Sequence, residues 1–201
     1  MRKKAIDTYS PVHMRTLMDM LAVIYEKFGS ISKDLYLIGG LVPELLIGNK
    51  LPYLKEYLGT LDIDIAVKIT VLQKGRYKNF YKILRSMGFE KQKTPDGTDA
   101  INHSFIKKYE GDSQPIIIDL ITDDRLEPRA DKLKELSRDV DAVKFRGVYL
   151  VFDDFIERKL THETGTVRIK IPNIIPFLTL KAFAYSDEDN RDAKDAIYGT
   201  A

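Results

Sequence analysis

The stretch GTLDIDIAVK, residues 59–68, places two aspartates in an otherwise aliphatic run, and the interpretation of the whole chain depends on it. Because side chains alternate along a strand, Asp62 and Asp64 share one face, with Cα atoms about 6.5–7 Å apart. A strand with one solvated face explains the pair without any ligand and is the simpler interpretation of an isolated D-x-D motif. The alternative is a metal site, because Mg²⁺ prefers carboxylate oxygens.

A third aspartate lies in a second aliphatic segment, PIIIDLIT at 115–122. Asp119 is surrounded there by isoleucine and leucine, and a carboxylate in such a strand is costly to bury unless a cation or strong donors satisfy it. If this strand lies beside 61–67, Asp119 becomes a third ligand of one metal cluster. An aspartate at the strand end that caps the turn beginning at Thr122 explains the residue equally well.

The segment LYLIGGLVPELL, 35–46, has the form of a strand, a glycine pair and a helix. Gly39 and Gly40 permit a sharp turn and close approach to a ligand, and a helix N-terminus directly after them presents unpaired N–H groups to an anion. This arrangement favours phosphate binding, although a tight strand-to-helix turn also explains it. The segment matches neither the dinucleotide-binding fingerprint nor a P-loop.

Composition narrows the class of protein. The 201 residues are 44% hydrophobic, enough for one substantial domain or two small ones. A net charge of +2, from 32 basic and 30 acidic residues, argues against a DNA-coating protein but allows a nucleotide or RNA end as substrate. The absence of cysteine excludes disulfides, thiolate zinc sites and cysteine nucleophiles. No stretch is long enough to span a bilayer, so we expect a cytoplasmic protein with no membrane partner.

The apolar patterns predict an α+β or mixed α/β fold, with a mixed sheet flanked by helices and a helical C-terminal portion. The first helix, 11–28, is bounded by Pro11 at its first turn and Gly29 after its end. We expect a catalytic domain over 1–150 and a mainly helical portion over 151–201 packed against it. Further helices are predicted over 41–47, 77–87, 129–138, 174–185 and 187–198, and strands over 35–38, 61–69, 101–109, 115–122, 148–152 and 166–171.

In this order the elements resemble the nucleotidyltransferase superfamily of the DNA polymerase β type, and most of all the abortive-infection nucleotidyltransferase toxins of the AbiEii/AbiGii type. That family has Gly-Gly after a first strand, Ser or Thr two residues before D-I-D, and a later strand with one aspartate. Its C-terminal helical part carries a lysine followed by a Lys-Asp pair. The matching positions, which extend over 35–198, are Gly39, Gly40, Thr60, Asp62, Asp64, Asp119, Lys181, Lys194 and Asp195.

The resemblance implies a transferase dependent on Mg²⁺ or Mn²⁺, which moves a nucleoside monophosphate from an NTP to an acceptor hydroxyl and releases pyrophosphate. It implies that Asp62 and Asp64 bind two metal ions, and that Asp119 completes the second and orients or deprotonates the acceptor. Lys181 is implied to offset developing negative charge. The residues implied to bind the nucleotide are Gly39, Gly40, Thr60, Lys181, Arg191 and Asp195.

The resemblance also implies the toxin of a toxin–antitoxin or phage-defence pair, with an antitoxin protein as partner. The acceptor stays open among an RNA 3′ end, a protein hydroxyl and a small molecule. Two other functions fit the same residues: a non-catalytic nucleotide- or partner-binding module, and an antibiotic-type nucleotidyltransferase that modifies small molecules. An acidic acceptor pocket favours the small molecule, whereas a basic rim favours RNA.

The sequence departs from the family pattern before the D-I-D motif. The segment between Gly40 and Asp62 is longer than the usual gap, and Leu58 stands where the family often has arginine. Lys50 or Lys55 is an alternative source of a basic contact to the triphosphate.

The C-terminal basic residues also have structural explanations. Lys181 lies on an apolar helix face, where it either reaches the phosphates or extends its ammonium to water along that face. For Arg191, Lys194 and Asp195 a solvated, salt-bridged helix face is the alternative to nucleotide binding.

Overall fold

A computed structural model describes residues 11–47, 60–68, 77–94, 96–108, 114–125, 142–163 and 165–186. It confirms the predicted class: helices flank a sheet with both parallel and antiparallel pairs. The α-helices are α1 (Pro11–Phe28), α2 (Val42–Ile47), α3 (Tyr77–Ser86), α4 (Val148–Asp153) and α5 (Ile174–Ser186), with 3₁₀ turns at Gly29–Asp34 and Gly39–Leu41. The strands are β1 (Leu35–Ile38), β2 (Asp62–Val67), β3 (Glu90–Lys93), β4 (Ala100–Lys107), β5 (Ile116–Asp123), β6 (Val143–Phe145), β7 (Phe155–His162) and β8 (Gly165–Pro172).

The described strands form one sheet in the order β3-β4-β5-β2-β1-β8-β7, and β6 pairs with the end of β5. Strand β2 lies at the centre, antiparallel to β1 and parallel to β5. Strands β7 and β8 form an antiparallel hairpin, and β8 joins β1 in parallel. The two aspartate-bearing segments, β2 and β5, are therefore neighbours in the middle of the sheet.

One face of the sheet carries the main hydrophobic core. In β2, Ile63, Ile65 and Val67 point to this face and are fully buried, as alternation requires. Helix α1 covers the face with a stripe at helical spacing, in which Leu17, Leu21 and Ile24 have no exposed surface. The core continues through Leu35, Leu37, Phe80, Leu84, Phe89, Phe105, Ile116, Ile118, Leu120, Ile169 and Ile171.

The opposite face carries the aspartates and a smaller apolar cluster. Helix α4 packs on this face through Val148 and Val151, and α5 contributes Leu180. Their partners in the sheet are Tyr36 and Ile38 of β1 and Ala66 of β2. The three aspartates of β2 and β5 lie on this same face, because Asp64 is paired with Asp119 and Asp62 is two residues from Asp64.

Several features differ from the expectations, and no strand was predicted at β3, β6 or β7. VYLVF at 148–152 was predicted as a strand, but it forms α4, because Val148 and Val151 at helical spacing pack on the sheet. The C-terminal portion over 151–201 is helical only in part: β7 and β8 belong to the main sheet, and α5 follows them. The predicted helices 129–138 and 187–198 lie outside the described residues.

Among the described helices, none combines the length and the apolar character that crossing a membrane requires.

Candidate metal and nucleotide site

Three carboxylates meet on the face of the sheet opposite the main core. Strand pairing sets Asp64 opposite Asp119 on one side and opposite Ile38 on the other. Asp62 lies two residues before Asp64 and therefore shares its face. A carboxylate oxygen from each of the three residues lies within 4.8 Å of the other two. The prediction that Asp119 joins the Asp62–Asp64 pair is confirmed, and the distance is short enough for shared cation binding.

Neighbouring side chains leave no space for a Cβ at either position of the glycine pair. Gly39 has φ +73°, a conformation that L-residues with a side chain rarely adopt, and a Cβ there would lie 1.8 Å from Asp64 Oδ2. A Cβ on Gly40 would lie 2.5 Å from the Cβ of Thr60. The turn thus needs glycine at both positions, because the backbone of Gly39–Leu41 passes directly against the start of β2. The glycines bring this backbone to the edge of the carboxylate cluster.

Thr60 precedes β2 and is 3% exposed. Its hydroxyl donates a short hydrogen bond to Asp62 Oδ1. The hydroxyl thus restrains the Asp62 carboxylate, and the Gly39 backbone lies against the Asp64 carboxylate. This hydrogen bond orients the Asp62 side chain.

Asp119 lies in the middle of β5 rather than at a strand end, so the turn-capping interpretation is wrong. The turn is capped instead by Asp123, whose carboxylate accepts a hydrogen bond from the Arg125 backbone N–H at 3.0 Å. Asp119 is half-buried, and burial is the main reason that its pKa is raised above the ordinary value. A hydrogen bond with Ser104 lowers the pKa, and the negative charge of Asp62 raises it.

The donor set fits a divalent metal. Three carboxylates on adjacent strands supply hard oxygen ligands, which Mg²⁺ and Mn²⁺ prefer. Their mutual repulsion makes the cluster unfavourable by itself, and a divalent cation removes that cost. The residues that would hold the metal are Asp62, Asp64 and Asp119.

Of the other residues predicted for the site, Lys181 lies within the described part of the chain. Lys181 lies on α5, the helix whose Leu180 packs on the same face as the three aspartates, and its side chain is half-buried. Arg191 and Asp195 lie outside the described residues, together with Lys194. So do Leu58 and the two lysines proposed as substitutes for arginine, Lys50 and Lys55.

Two polar residues beside the cluster were not predicted from the sequence. Ser104 on β4 is 4% exposed and is the cross-strand partner of Asp119. Gln92 on β3 accepts a hydrogen bond from the Ser104 hydroxyl at 2.6 Å. Alternation in INHSFIKKY predicts that Asn102 and Ser104 share a face of their strand. Nothing in the sequence says which strand lies beside this segment.

The sequence was compared with protein-family models and with curated proteins, and neither comparison gives a match.

Proposed function

We propose that the protein is a metal-dependent nucleotidyltransferase that transfers a nucleoside monophosphate from an NTP to an acceptor hydroxyl. The observation that carries the proposal is the convergence of Asp62, Asp64 and Asp119 within 4.8 Å beside a glycine turn. The family resemblance of the sequence motifs supports the same reaction. A cytoplasmic location is part of the same proposal.

Each group of the site has its own role in the proposed transfer reaction. Bound Mg²⁺ or Mn²⁺ supplies charge neutralisation for the triphosphate and the leaving pyrophosphate. The acceptor oxygen attacks the α-phosphorus, and the bond from that phosphorus to the bridging oxygen of pyrophosphate breaks. Asp119 takes the acceptor proton, which is the role that the resemblance implies for it. Gly39 and Gly40 offer backbone N–H groups to phosphate oxygens, and Lys181 offsets developing charge.

The face that carries the cluster favours a polyanionic acceptor. In the β7–β8 hairpin, Lys159 pairs with Arg168 and Glu157 pairs with Lys170, and alternation puts all four on the face of the three aspartates. The Arg168 side chain is 73% exposed, and its ion pair with Glu157, at 3.5 Å, is open to solvent. Three cations and one acid give this face of the hairpin a net positive charge, on strands that lie two (β8) and three (β7) positions from β2. An RNA 3′ end is therefore the acceptor that we favour over a cationic small molecule.

The decisive experiment supplies each α-labelled NTP with Mg²⁺ or Mn²⁺ and one of three acceptors: total RNA, cell-extract protein or an aminoglycoside. Wild type is compared with Asp64→Asn, which keeps the shape of the side chain and removes its charge. Asp19→Asn is the matched control, because Asp19 is exposed on α1, across the sheet from the cluster. We expect label on RNA with wild type and the control, and a loss of at least about 100-fold with Asp64→Asn.

The other outcomes of this experiment would identify a different acceptor or a non-catalytic function. Label on an aminoglycoside alone would identify the antibiotic-type enzyme, and label on protein alone would refute the RNA acceptor. Binding of NTP without transfer to any acceptor would favour the rival function, a non-catalytic nucleotide-binding module. The biological role that the resemblance supports is a toxin neutralised by an antitoxin protein. That role predicts slower growth on expression of wild type and normal growth with Asp64→Asn.

A further inference from the structure

A line of hydrogen-bonding side chains leads from the edge of the sheet to Asp119. Pairing between β3 and β4 is regular at Lys91 and Phe105, and it becomes irregular before Lys93. Gln92 lies at this irregularity, beside Ser104. Irregular pairing of this kind is common next to active sites, where it redirects a side chain. The Gln92 side chain reaches Ser104 on the same face of the sheet as the three aspartates.

The Ser104 hydroxyl contacts both Gln92 and Asp119. Its oxygen lies 2.6 Å from Gln92 Oε1, and Ser104 is also the cross-strand partner of Asp119, whose carboxylate the hydroxyl can reach as a donor. A hydroxyl carries one proton, and a carboxylate can only accept. The proton of Ser104 can therefore go to Asp119 or to Gln92 Oε1. Rotation of the Gln92 amide lets its Nε2 donate to the Ser104 oxygen, so that the Ser104 proton holds one carboxylate oxygen of Asp119 and the other oxygen stays available to a cation.

Ser104 has no other evident reason to be polar. It is 4% exposed, so an unpaired hydroxyl there would cost free energy on folding. Its strand neighbour Phe105 points into the main core and is fully buried. The contacts of Ser104 with Gln92 and Asp119 satisfy the hydroxyl and at the same time restrict the orientation of the carboxylate.

We propose that Ser104 and Gln92 are positioning residues, which hold the Asp119 carboxylate in the orientation that completes the metal cluster. The proposal rests on the proposed function, because it assumes that the three aspartates bind a metal. Residues that hydrogen-bond to a metal ligand typically change metal affinity by about 10- to 100-fold when they are mutated. Their removal misplaces one ligand and leaves the other two in place.

The test measures Mn²⁺ affinity of the full chain by electron paramagnetic resonance, which needs neither NTP nor acceptor. We expect Ser104→Ala to weaken Mn²⁺ binding by about 10- to 100-fold. Ser104→Thr keeps the hydroxyl and is expected to restore most of the affinity. Gln92→Ala is expected to weaken binding by a smaller factor. Ser86→Ala is the control, because Ser86 is exposed and bonds only locally, to the Ile83 carbonyl.

The outcomes separate the two proposals. If wild type binds Mn²⁺ and the Ser104→Ala and Gln92→Ala variants bind it equally well, the positioning role is refuted and the metal site stands. If wild type binds no Mn²⁺, both proposals are refuted. A melting temperature measured without metal distinguishes misfolding: a positioning role leaves it near that of wild type in Gln92→Ala, while the increase caused by Mn²⁺ becomes smaller.

Discussion

Replacing Asp119 with asparagine should make the metal-free protein more stable and abolish its stabilisation by metal. Asp119→Asn keeps the shape of the side chain and its ability to accept a hydrogen bond from Ser104, but removes one of three clustered negative charges. Without a cation, that charge is repelled by its neighbours and penalised by burial, as the raised pKa of Asp119 shows. Functional clusters of like charge commonly cost stability in this way.

The size of the effect follows from the spacing of the carboxylates. Two unit charges 4.8 Å apart repel by about 0.9 kcal/mol at the dielectric constant of water and by about 3.5 kcal/mol at an effective value near 20. The aspartates are half-buried, so we expect a gain of about 1–2 kcal/mol for Asp119→Asn. For a chain of 201 residues this raises Tm by about 3–6 °C.

Thermal unfolding with and without Mn²⁺ measures both effects. A metal at 100 times its Kd stabilises the folded state by about 2.7 kcal/mol, and this increase should appear in wild type and be lost in Asp119→Asn. Asp19→Asn controls for the removal of one negative charge elsewhere. The reasoning is refuted if Asp119→Asn is less stable than wild type without metal, or if both proteins gain equally from Mn²⁺.

Two further predictions test the turn and the pH dependence. Gly39→Ala should weaken Mn²⁺ binding at least about tenfold, because the added Cβ displaces the Asp64 carboxylate. Gly97 has nearly the same φ, +74°, but open space around its Cβ, so Gly97→Ala should only lower stability by about 1–2 kcal/mol. Equal Mn²⁺ affinity in the two variants would contradict the crowding of Asp64. The raised pKa of Asp119 means that the native state holds the carboxyl proton more tightly than the unfolded chain, so urea unfolding of the metal-free protein should show stability falling as pH rises from about 4 towards neutral. The slope should flatten in Asp119→Asn, and an unchanged slope would contradict the assignment.

The sequence predicted the central part of the site because the signal there is local. Alternation alone puts Asp62 and Asp64 on one face of β2, and Gly39-Gly40 marks the end of β1. Asp119 was a harder case, since its role depends on which strand lies beside β2. The parallel pairing of Asp64 with Asp119 brings the polar residue of an apolar strand into the same carboxylate cluster.

Sequence patterns were weakest where a short segment fits two structures. VYLVF is apolar on every side, and such a run does not distinguish a strand from a buried helix by periodicity. Gly147, with φ +86°, redirects the chain into α4, and a Cβ there would lie 2.8 Å from the Phe183 ring. This contact with α5 exists only in the folded chain. Strand β7 was also missed, because its residues Phe155–His162 are largely polar and are held by pairing with β8.

By itself, the sequence determined the chemical character of this protein: aspartates at alternate positions in a strand, a glycine pair, and no cysteine. These are properties of single segments, fixed by strand geometry and composition. The tertiary structure decided which segments meet. It brought Asp119 and Ser104 to the aspartates of β2 across three adjacent strands, and it put the glycine turn against Asp64. Strand order and register arise from burial of the whole sheet, so no local pattern contains them.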